Sequence, residues 1–472
     1  YRKLLATYAS YEEKASLGKR PEELDQEWLY APVWEEVNRH YAHLGVNVKS
    51  LSELVEQLGI LRYGHRPRVG DTFSGGGSIP FEAARIGCDV YASDLNPIAC
   101  MLTWGALNII GASPKRQAEI EKLQREVAKA VDKEITDLGI EHDEQGNRIK
   151  AYLYCIEAKC PETGWLVPLA PSWVVSPRQR VVAKLVPNSA LKRFDIKLEF
   201  GVSASALEEA QKGTVSDGDM VYELDGKTYR TSIKTLRGDY RKEDGSTGNR
   251  LRLWEKSDFK PRPDDIFQER LYAIQWITKD TLYAGRQETY FAAPTQADLE
   301  HERAVEKILS ENLSRWQDEG LVPDMAIEQG DETTRLLRER GWTHWHHLFS
   351  PRDLLKLALL RKHISDPALA PELCGTLDFC SKLSRWIVRF SSGGGSDFTS
   401  NVFSNQALNT LYNWANRSFF DHSFVQSYKN TPINVNASVV CSHSREITEE
   451  QDIFITDPPY ADAVAYEEIT EF

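Results

Sequence analysis

The stretch VGDTFSGGGSIPFEAARIGCDVYASDLNP, residues 69–97, decides the fold of this chain. A short apolar segment reaches an acid at Asp71, and a cluster of glycines follows. The next residues predict a helix that is capped by Ser78 and ends before Gly87. A second short apolar segment then ends on another acid, Asp94. This order of strand, glycine-rich turn, helix and strand predicts an α/β fold with a parallel sheet.

The glycine-rich turn also predicts a pocket for a cofactor that contains adenosine. Gly75, Gly76 and Gly77 would let the backbone approach a ligand closely. An acid after the second strand, here Asp94, can accept hydrogen bonds from both ribose hydroxyls. The spacing differs from the GxGxxG pattern of dinucleotide-binding proteins. The alternative is a flexible glycine and serine turn that holds no ligand.

A second motif lies near the other end of the sequence. Residues 452–456 have the apolar character of a strand, and Asp457-Pro458-Pro459-Tyr460 follows them directly. Two prolines at the end of a strand are rare by chance, because proline cannot continue the hydrogen-bonded ladder. We therefore interpret this motif as a functional turn.

The Asp-Pro-Pro-Tyr turn suits chemistry on an exocyclic amino group. The lone pair of that nitrogen is delocalised into the ring, so a catalyst must offer acceptors to its two N–H bonds. The carboxylate of Asp457 and the carbonyl of Pro458 can be these acceptors, and Tyr460 can stack on a base that has left its helix. Both motifs follow strands, so we expect them to meet at the carboxyl edge of one sheet.

Together the two motifs resemble those of a known enzyme class. Phe73-Ser-Gly75-Gly-Gly77 is similar to the FxGxG turn of S-adenosylmethionine-dependent methyltransferases, and the Asp-Pro-Pro-Tyr turn is similar to that of amino-methyltransferases of the N6-adenine type. More broadly, the chain resembles the adenine-specific DNA methylases that carry a DUF1156 domain and a zinc-ribbon insertion. The segments that carry this wider likeness are Tyr152-Leu-Tyr154, Cys160-Pro161, Pro168-Leu169, Pro171-Ser-Trp173, residues 264–270, Pro294-Thr295, Asp298-Leu299 and residues 348–355.

The resemblance implies a Rossmann-like class I methyltransferase sheet with a large mixed α+β insertion between the cofactor and catalytic motifs. It implies S-adenosyl-L-methionine as donor and an adenine extruded from double-stranded DNA as acceptor. The catalytic residues would be Asp457, Pro458, Pro459 and Tyr460. The residues near the donor would be Asp71, Phe73, Ser74, Gly75, Gly77, Asp94, Asn96 and Ser442.

The family also suggests a biological setting and leaves alternatives open. Its members often act in prokaryotic anti-phage defence beside helicase or other ATPase partners, so a modification component of such a system is expected. The alternatives are methylation of RNA or of cytosine N4, or a weakly active DNA-binding subunit that senses rather than modifies. Two residues depart from the family pattern: Thr163 replaces the second cysteine of the ribbon, and Ser442 lies where an acid often contacts the donor adenine.

We predict five regions along the chain. They are a helical N-terminal region (1–66), the cofactor-binding half of the methyltransferase domain (67–148), a β-rich insertion that resembles a degenerate zinc ribbon (149–263), a helical insertion that could recognise DNA (264–432), and the catalytic half (433–472). The resemblance implies further strands beyond the catalytic one to complete the sheet.

Capping and turn signals predict several individual elements. They are a helix capped by Ser50 and Glu53 that stops at Gly59, helices that begin at Asn96-Pro97 and at Ser113-Pro114, a hairpin around Asp225-Gly226, helices over residues 302–313 and 351–363, and a helix over residues 405–414.

Two basic segments of the insertions are candidates for nucleic-acid contacts. Arg250, Arg252, Trp254 and Lys256 interleave charge with an aromatic ring, and Arg178 and Arg180 form a second segment. The alternative for both is a solvated charged face. A net charge of −13 weighs against a chain that grips nucleic acid over its whole surface, but a local basic patch would suffice.

The metal-binding signals in the sequence are weak. Cys155 and Cys160 are close, but a zinc ribbon needs a second close pair. His344, His346 and His347 have no acid or cysteine at matching spacing, so we predict a packed or exposed surface motif. Zinc is therefore not expected.

The composition predicts a globular protein with more than one domain. The chain has 472 residues, of which 41% are hydrophobic. No apolar run approaches the ~18 residues of a membrane span, and no signal peptide is expected. The scattered cysteines are typical of reduced thiols, which predicts a cytoplasmic location.

Overall fold

The computed structural model describes residues 26–390, 396–402, 407–419, 424–428 and 432–458. These residues divide into two compact units. The first unit consists of described residues up to 120 and from 428 onwards, and the second consists of described residues from 121 to 427. The division falls inside one long helix, before residue 148, where the sequence predicts the end of the cofactor-binding half.

The helices and strands are numbered in chain order. The helices are α1 (Gln26–Tyr41), α2 (Leu51–Tyr63), α3 (Ser78–Arg85), α4 (Pro97–Gly105), α5 (Pro114–Leu138), α6 (Ala204–Ala210), α7 (Ile233–Arg237), α8 (Gln296–Asp318), α9 (Thr333–Arg340), α10 (Pro351–His363) and α11 (Ala370–Leu377). The strands are β1 (Arg68–Asp71), β2 (Asp89–Asp94), β3 (Arg148–Lys159), β4 (Leu166–Leu169), β5 (Val174–Ser176), β6 (Val181–Asn188), β7 (Arg193–Glu199), β8 (Val215–Ser216), β9 (Asp219–Leu224), β10 (Lys227–Ser232), β11 (Tyr240–Arg241), β12 (Thr247–Gly248), β13 (Phe267–Ile277), β14 (Thr289–Ala292), β15 (Trp386–Arg389), β16 (Ser396–Thr399), β17 (Asn413–Arg417), β18 (Ala437–Cys441) and β19 (Ile453–Phe454).

The first unit contains a parallel sheet of four strands in the order β18-β2-β1-β19. The backbone of Arg68 and the side chain of Asp452 are bonded at 2.9 Å although they lie 384 positions apart in the sequence. Gly70 pairs with Phe454, and a Cβ on Gly70 would lie 2.6 Å from the Phe454 ring. Glycine at this position therefore lets β19 lie beside β1. The α/β class with a parallel sheet is as the sequence predicts.

Helix α2 begins where its sequence signals predict and ends later. The Ser50 hydroxyl accepts the N–H of Glu53, but the Glu53 carboxylate accepts the N–H of Lys49 rather than that of Ser50. Gly59 does not stop the helix. It is buried, and a Cβ there would lie 2.2 Å from the Pro67 ring, so its role is close packing. Gly64, with φ +81°, ends the helix instead.

Helix α3 lies between β1 and β2 and differs from the prediction at its first residue. Gly77 occupies the N-cap position and Ser78 is the first helical residue, so Ser78 does not act as the cap. Gly87 follows the helix with φ +103°, as the sequence predicts, and a Cβ there would lie 2.7 Å from the Ser52 carbonyl oxygen. Only glycine satisfies both the conformation and the close approach.

The second unit is built on an eight-stranded mixed sheet. Its order is β14-β13-β3-β4-β7-β6-β5, and β17 also pairs with β3. Strand β3 is buried on both faces. Tyr152 and Tyr154 lie in one hydrophobic cluster, whereas Leu153 and Cys155 lie in another. Because successive side chains of a strand point to opposite faces, β3 contributes to two hydrophobic clusters, one on each face.

The sequence predicts several local elements after residue 113 correctly. Asp225 and Gly226 both have positive φ and join β9 to β10 in the predicted hairpin. The structure has helices at Pro114–Leu138 and Pro351–His363 as expected, and the helix predicted over 302–313 is the middle of Gln296–Asp318. The helix predicted over 405–414 is wrong where the chain is described, because Asn413–Arg417 is a strand that pairs with β3.

Among the described residues, no helix combines the length and the apolar character that crossing a bilayer requires.

Candidate functional site

Three aspartates converge at the carboxyl edge of the sheet in the first unit. Asp71 ends β1, Asp94 ends β2, and Asp457 follows β19, which is paired with β1. Asp71 is buried, and burial raises the pKa of its carboxyl group. The negative charges of Asp94 and Asp457 raise it further, while hydrogen bonds from the Phe73 N–H and the Thr456 hydroxyl oppose the shift. Asp94 and Asp457 therefore both lie close enough to Asp71 for their charges to repel its carboxylate.

The carboxylate of Asp94 is held by the two loops that flank it. Its Oδ2 accepts the N–H of Gly75 at 2.9 Å, and its Oδ1 accepts the N–H of Asn96 at 2.9 Å. Asn96 in turn caps α4 by accepting the N–H of Ile98 at 2.8 Å. The N–H of Ser442 donates to the Asp94 carbonyl oxygen at 3.0 Å. The acid is thus fixed in position while its side chain is only partly buried.

The glycine-rich loop combines glycines in the left-handed conformation with open space. Gly75 has φ +48° and Gly77 has φ +82°, conformations that other residues adopt at a cost. A Cβ on Gly77 would lie 2.8 Å from the Thr103 Cα, whereas a Cβ on Gly75 or Gly76 would meet no atom within 4 Å. The loop is therefore packed on its Gly77 side and open beside Gly75 and Gly76, where a ligand would have room.

Thr103 of α4 forms hydrogen bonds that support this loop. No motif in the sequence pointed to this residue. Its buried hydroxyl lies 3.1 Å from the Gly75 carbonyl oxygen and 3.3 Å from the Ser74 hydroxyl. A polar residue on the buried face of a predicted helix was the signal that could have identified it. Thr456, which bonds to Asp71, was also missed, although it directly precedes Asp457.

We expect Thr103→Val to destabilise the chain by about 1–2 kcal/mol, because the Gly75 carbonyl loses its buried donor while the side-chain volume barely changes. Urea titration of the variant and of the wild-type chain measures this difference. Thr136→Val on α5 is a control for the threonine-to-valine change on a helix. Equal stability of the Thr103 variant and the wild-type chain would show that the bond does not hold the loop.

The structure places the predicted site residues of the first unit together. The predicted donor residues lie on three loops at the sheet edge: Asp71, Phe73, Ser74, Gly75 and Gly77 on the first, Asp94 and Asn96 on the second, and Ser442 on the third. Asp457 and Pro458 are exposed at the same edge. Pro459 and Tyr460 lie outside the described residues.

The first basic segment is engaged in internal contacts. Arg252 contacts Asp265 at 2.7 Å and Asp258 at 2.5 Å, and Lys256 contacts Asp324 at 2.8 Å. Trp254, also proposed for nucleic-acid contacts, is buried. These partners are distant in sequence or belong to an irregular loop, so the sequence pattern could not show them. Arg252 and Lys256 are therefore already paired with carboxylates of the second unit.

The other arginines predicted to contact nucleic acid lie at the protein surface. Arg178, Arg180 and Arg250 are exposed, and none of them has a side-chain ion pair with another described residue. Arg180 also has a positive φ of 55° in the turn that precedes β6.

The cysteine and histidine candidates occupy buried positions in the second unit. Cys155 and Cys160 are both fully buried, and the described residues hold no group of three side chains suited to a metal ion. Burial raises the pKa of the Cys160 thiol, but hydrogen bonds from Tyr222 and from the Thr163 backbone outweigh it and lower the pKa overall. Thr163, in place of a ribbon cysteine, bonds to the Tyr222 hydroxyl at 2.6 Å.

The histidines are packed rather than exposed. His347 Nδ1 accepts the N–H groups of Thr343 and His344 at 3.1 and 3.2 Å, and its Nε2 lies 3.1 Å from the Glu255 carbonyl oxygen. His346 Nε2 lies 3.2 Å from the carbonyl oxygen of Asp258. Both rings therefore bind the backbone of the loop at 255–258. Burial lowers the pKa of His346 to about 4 and that of His347 to about 2.

Comparisons with known proteins add no relative. No family model, curated protein or solved structure matches the chain. Any assignment of function therefore depends on the geometry of the site.

Proposed function

We propose that this protein transfers a methyl group from S-adenosyl-L-methionine to the N6 nitrogen of adenine in DNA. One observation carries the proposal. The glycine-rich loop with Asp71, the acid Asp94 and the Asp457-Pro458 turn meet at the carboxyl edge of one parallel sheet. The proposed sites for the donor and for the amino-group acceptor would thus be adjacent, although the sequence separates them widely.

The sheet order supports a Rossmann-like sheet of the class I methyltransferase type. When the four strands of the first unit are numbered along the chain, they lie side by side in the order third, second, first, fourth. All four are parallel. In an open sheet of this order, ligands bind beyond the carboxyl ends of the strands, where the order reverses. That point lies between β1 and β19, and Asp71 and Asp457 follow these two strands.

The charge of the site fits a cationic donor. The negative charges of Asp94 and Asp457 repel that of Asp71. S-adenosylmethionine carries a sulfonium and an ammonium group, and both would reduce this repulsion. The spent donor has lost the sulfonium charge, so the same carboxylates would bind it less tightly. The arrangement thus favours binding of the donor and release of the product.

Asp94 has the geometry required to hold the donor ribose. Its two oxygens each accept one backbone N–H and retain further lone pairs for the ribose hydroxyls. The open space beside Gly75 and Gly76 would accept the rest of the ligand. The donor would supply a methyl group activated by positively charged sulfur.

The residues of this chain would position the adenine amino group rather than make its nitrogen strongly nucleophilic. The Asp457 carboxylate would accept one N–H of the adenine amino group, and the Pro458 carbonyl would accept the other. These two bonds would turn the nitrogen lone pair toward the donor, and Asp457 could receive the proton that the nitrogen loses. The placement of the two groups supplies most of the rate enhancement. Tyr460 would stack on the extruded base.

Gly76→Ala should leave the fold intact and weaken donor binding by about tenfold or more. Gly76 has no positive φ, and the added methyl group would meet no protein atom within 4 Å, so a loss of binding would indicate that the ligand occupies this space. Equilibrium dialysis with labelled S-adenosylmethionine measures it. Gly375→Ala, a change into equally open space on α11, is the matched control. Unchanged affinity in Gly76→Ala would place the donor elsewhere.

The reaction itself is tested by incubating the chain with methyl-labelled donor and unmethylated duplex DNA, followed by nucleoside analysis. The proposal predicts label in N6-methyladenine. Label in N4-methylcytosine, or in RNA but not in DNA, would support the corresponding alternative. Donor binding without transfer to any of these acceptors would favour the sensing alternative and contradict the proposed activity.

A further inference from the structure

Two cysteines of the first unit lie together at the carboxyl edge of the parallel sheet. Cys100 is on α4, and Cys441 is the last residue of β18, where it pairs in register with Asp94. The Cys100 thiol donates to the carbonyl oxygens of Asp94 and Val440, each at 3.5 Å. The Cys441 thiol donates to the carbonyl oxygen of Leu95 at 3.6 Å. Both sulfur atoms therefore lie beside the same short length of β2 and β18.

The two thiols also interact with each other. The pKa of the Cys100 thiol is raised to about 11, mainly by burial and then by the charge of Cys441 and by a hydrogen bond between the two thiols. Cys100 and Val440, the residue before Cys441, are 340 positions apart in the sequence. The pair is therefore a product of folding that the spacing of the cysteines does not predict.

The two thiols differ in their access to solvent. Cys441 is exposed, whereas Cys100 is 9% exposed, and its raised pKa keeps it protonated near neutral pH. A small oxidant reaches an accessible thiol first, and a second thiol beside it can resolve the oxidised product. Cys441 is thus placed for the first of these roles and Cys100 for the second.

We propose that Cys100 and Cys441 form a reversible disulfide when hydrogen peroxide oxidises the chain, and that this link weakens the site around Asp94. The O–O bond of the peroxide breaks, one oxygen atom bonds to the Cys441 sulfur to give a sulfenic acid, and water leaves. The Cys100 sulfur then attacks the sulfenic sulfur, so that the S–S bond forms as the S–O bond breaks. The hydroxyl group leaves with the Cys100 proton as a second water. In all, the two thiols lose two electrons and two protons, and the peroxide is reduced to water.

The disulfide would act on the contacts that hold Asp94. A disulfide is much shorter than a hydrogen bond between two thiols, so α4 and β18 must approach each other as it forms. Asn96, which caps α4, donates its N–H to Asp94 Oδ1, and Ser442, which follows Cys441, donates its N–H to the Asp94 carbonyl oxygen. Movement of α4 and β18 would disturb both contacts. This part of the proposal rests on the proposed function, because donor binding is the property that reports on Asp94.

Peptide mapping of the full chain after treatment with hydrogen peroxide tests whether the disulfide forms. Remaining thiols are blocked with iodoacetamide before proteolysis. The expected product joins the peptides of Cys100 and Cys441, is two hydrogen atoms lighter than the separate peptides, and disappears with dithiothreitol. Cys100→Ser and Cys441→Ser should each abolish it, whereas Cys374→Ser, at a partly exposed cysteine of the second unit, should not. Oxidised Cys441 without a link to Cys100, or Cys441 linked only to a second chain, would overturn the proposal.

Equilibrium dialysis of labelled S-adenosylmethionine with the reduced and the disulfide-linked chain tests the effect on Asp94. We expect the linked chain to bind the donor about threefold or more weakly, and dithiothreitol to restore the affinity. Cys441→Ser should bind equally before and after peroxide treatment. Equal affinity of the reduced and linked wild-type chains would contradict the effect on Asp94. An absence of donor binding by the reduced chain would instead contradict the proposed function, and the peptide map would still decide whether the disulfide forms.

Discussion

Replacing Asp457 by Ala should slow methyl transfer to DNA by about 10²–10⁴-fold while donor binding persists. The variant removes the carboxylate proposed to hold the adenine amino group and to receive its proton. Asp457 is exposed after β19, and its side chain forms no hydrogen bond with another described residue, so the fold should be preserved. Single-turnover transfer of labelled methyl, together with equilibrium dialysis of the donor, separates chemistry from binding.

Two further variants sharpen this result. Asp457→Asn keeps an oxygen acceptor but cannot take the proton, so its rate should lie between those of the wild-type chain and Asp457→Ala. Glu450→Ala removes an exposed carboxylate from the segment that precedes β19 and should retain full activity. A wild-type rate in Asp457→Ala would show that the Asp457 carboxylate of the Asp-Pro-Pro-Tyr turn does not take part in catalysis.

The second unit should lose about 4 kcal/mol of unfolding free energy between pH 7.5 and pH 5 through His346 and His347. The pKa of His346 is lowered to about 4 and that of His347 to about 2, with burial as the main cause in both cases. An unfolded histidine titrates near 6.5, so the unfolded chain binds more protons below that pH. Each histidine then costs about 1.4 kcal/mol per pH unit, or about 2 kcal/mol at pH 5.

The hydrogen bonds explain why the folded rings resist protonation. A proton on His347 Nδ1 would face the N–H groups of Thr343 and His344, which already donate to that atom. The nearby ammonium of Lys382 also disfavours a charged ring. Lowered carboxyl pKa values destabilise the folded state at a more acidic pH, because unfolded acids titrate near 4. The window from pH 5 to 6.5 therefore reports on histidines.

Urea unfolding followed by tryptophan fluorescence at a series of pH values measures this slope. His347→Gln should reduce the slope over that window by about 1.4 kcal/mol per pH unit, whatever it does to stability at pH 7.5. His43→Gln removes an exposed ring in the first unit and should leave the slope unchanged. An unaltered slope in His347→Gln would contradict the assignment of the effect to this ring.

Helices and strands could be predicted from the sequence where the signals for them lie within one short segment. Residues 69–97 contain their own strands, turn and helix, so β1, α3 and β2 lie where the pattern predicts. The helix Pro351–His363 follows from Ser350, which caps it, and from Pro351 in its first turn. The convergence of Asp71, Asp94 and Asp457 at one sheet edge was predictable for the same reason, since each acid ends a strand or follows one closely.

Elements and contacts could not be predicted from the sequence where residues from distant segments determine them. Asn413–Arg417 is a strand because β3 lies beside it, which overrides the local helical pattern. Gly59 is required by the ring of Pro67, not by a helix end. The pairing of Lys256 with Asp324 likewise depends on residues brought together by folding.

The location of bound donor on the chain tests most directly whether the donor site lies at the carboxyl edge of the parallel sheet. Ultraviolet cross-linking with methyl-labelled S-adenosylmethionine, followed by proteolysis and mass spectrometry, identifies the labelled peptide. We expect label on the peptide that contains Phe73 to Gly77 or on the one that contains Asp457, and loss of that label when unlabelled S-adenosylhomocysteine competes. Label confined to the second unit, or no label that competitor removes, would contradict the assignment of the donor site to the carboxyl edge of the parallel sheet.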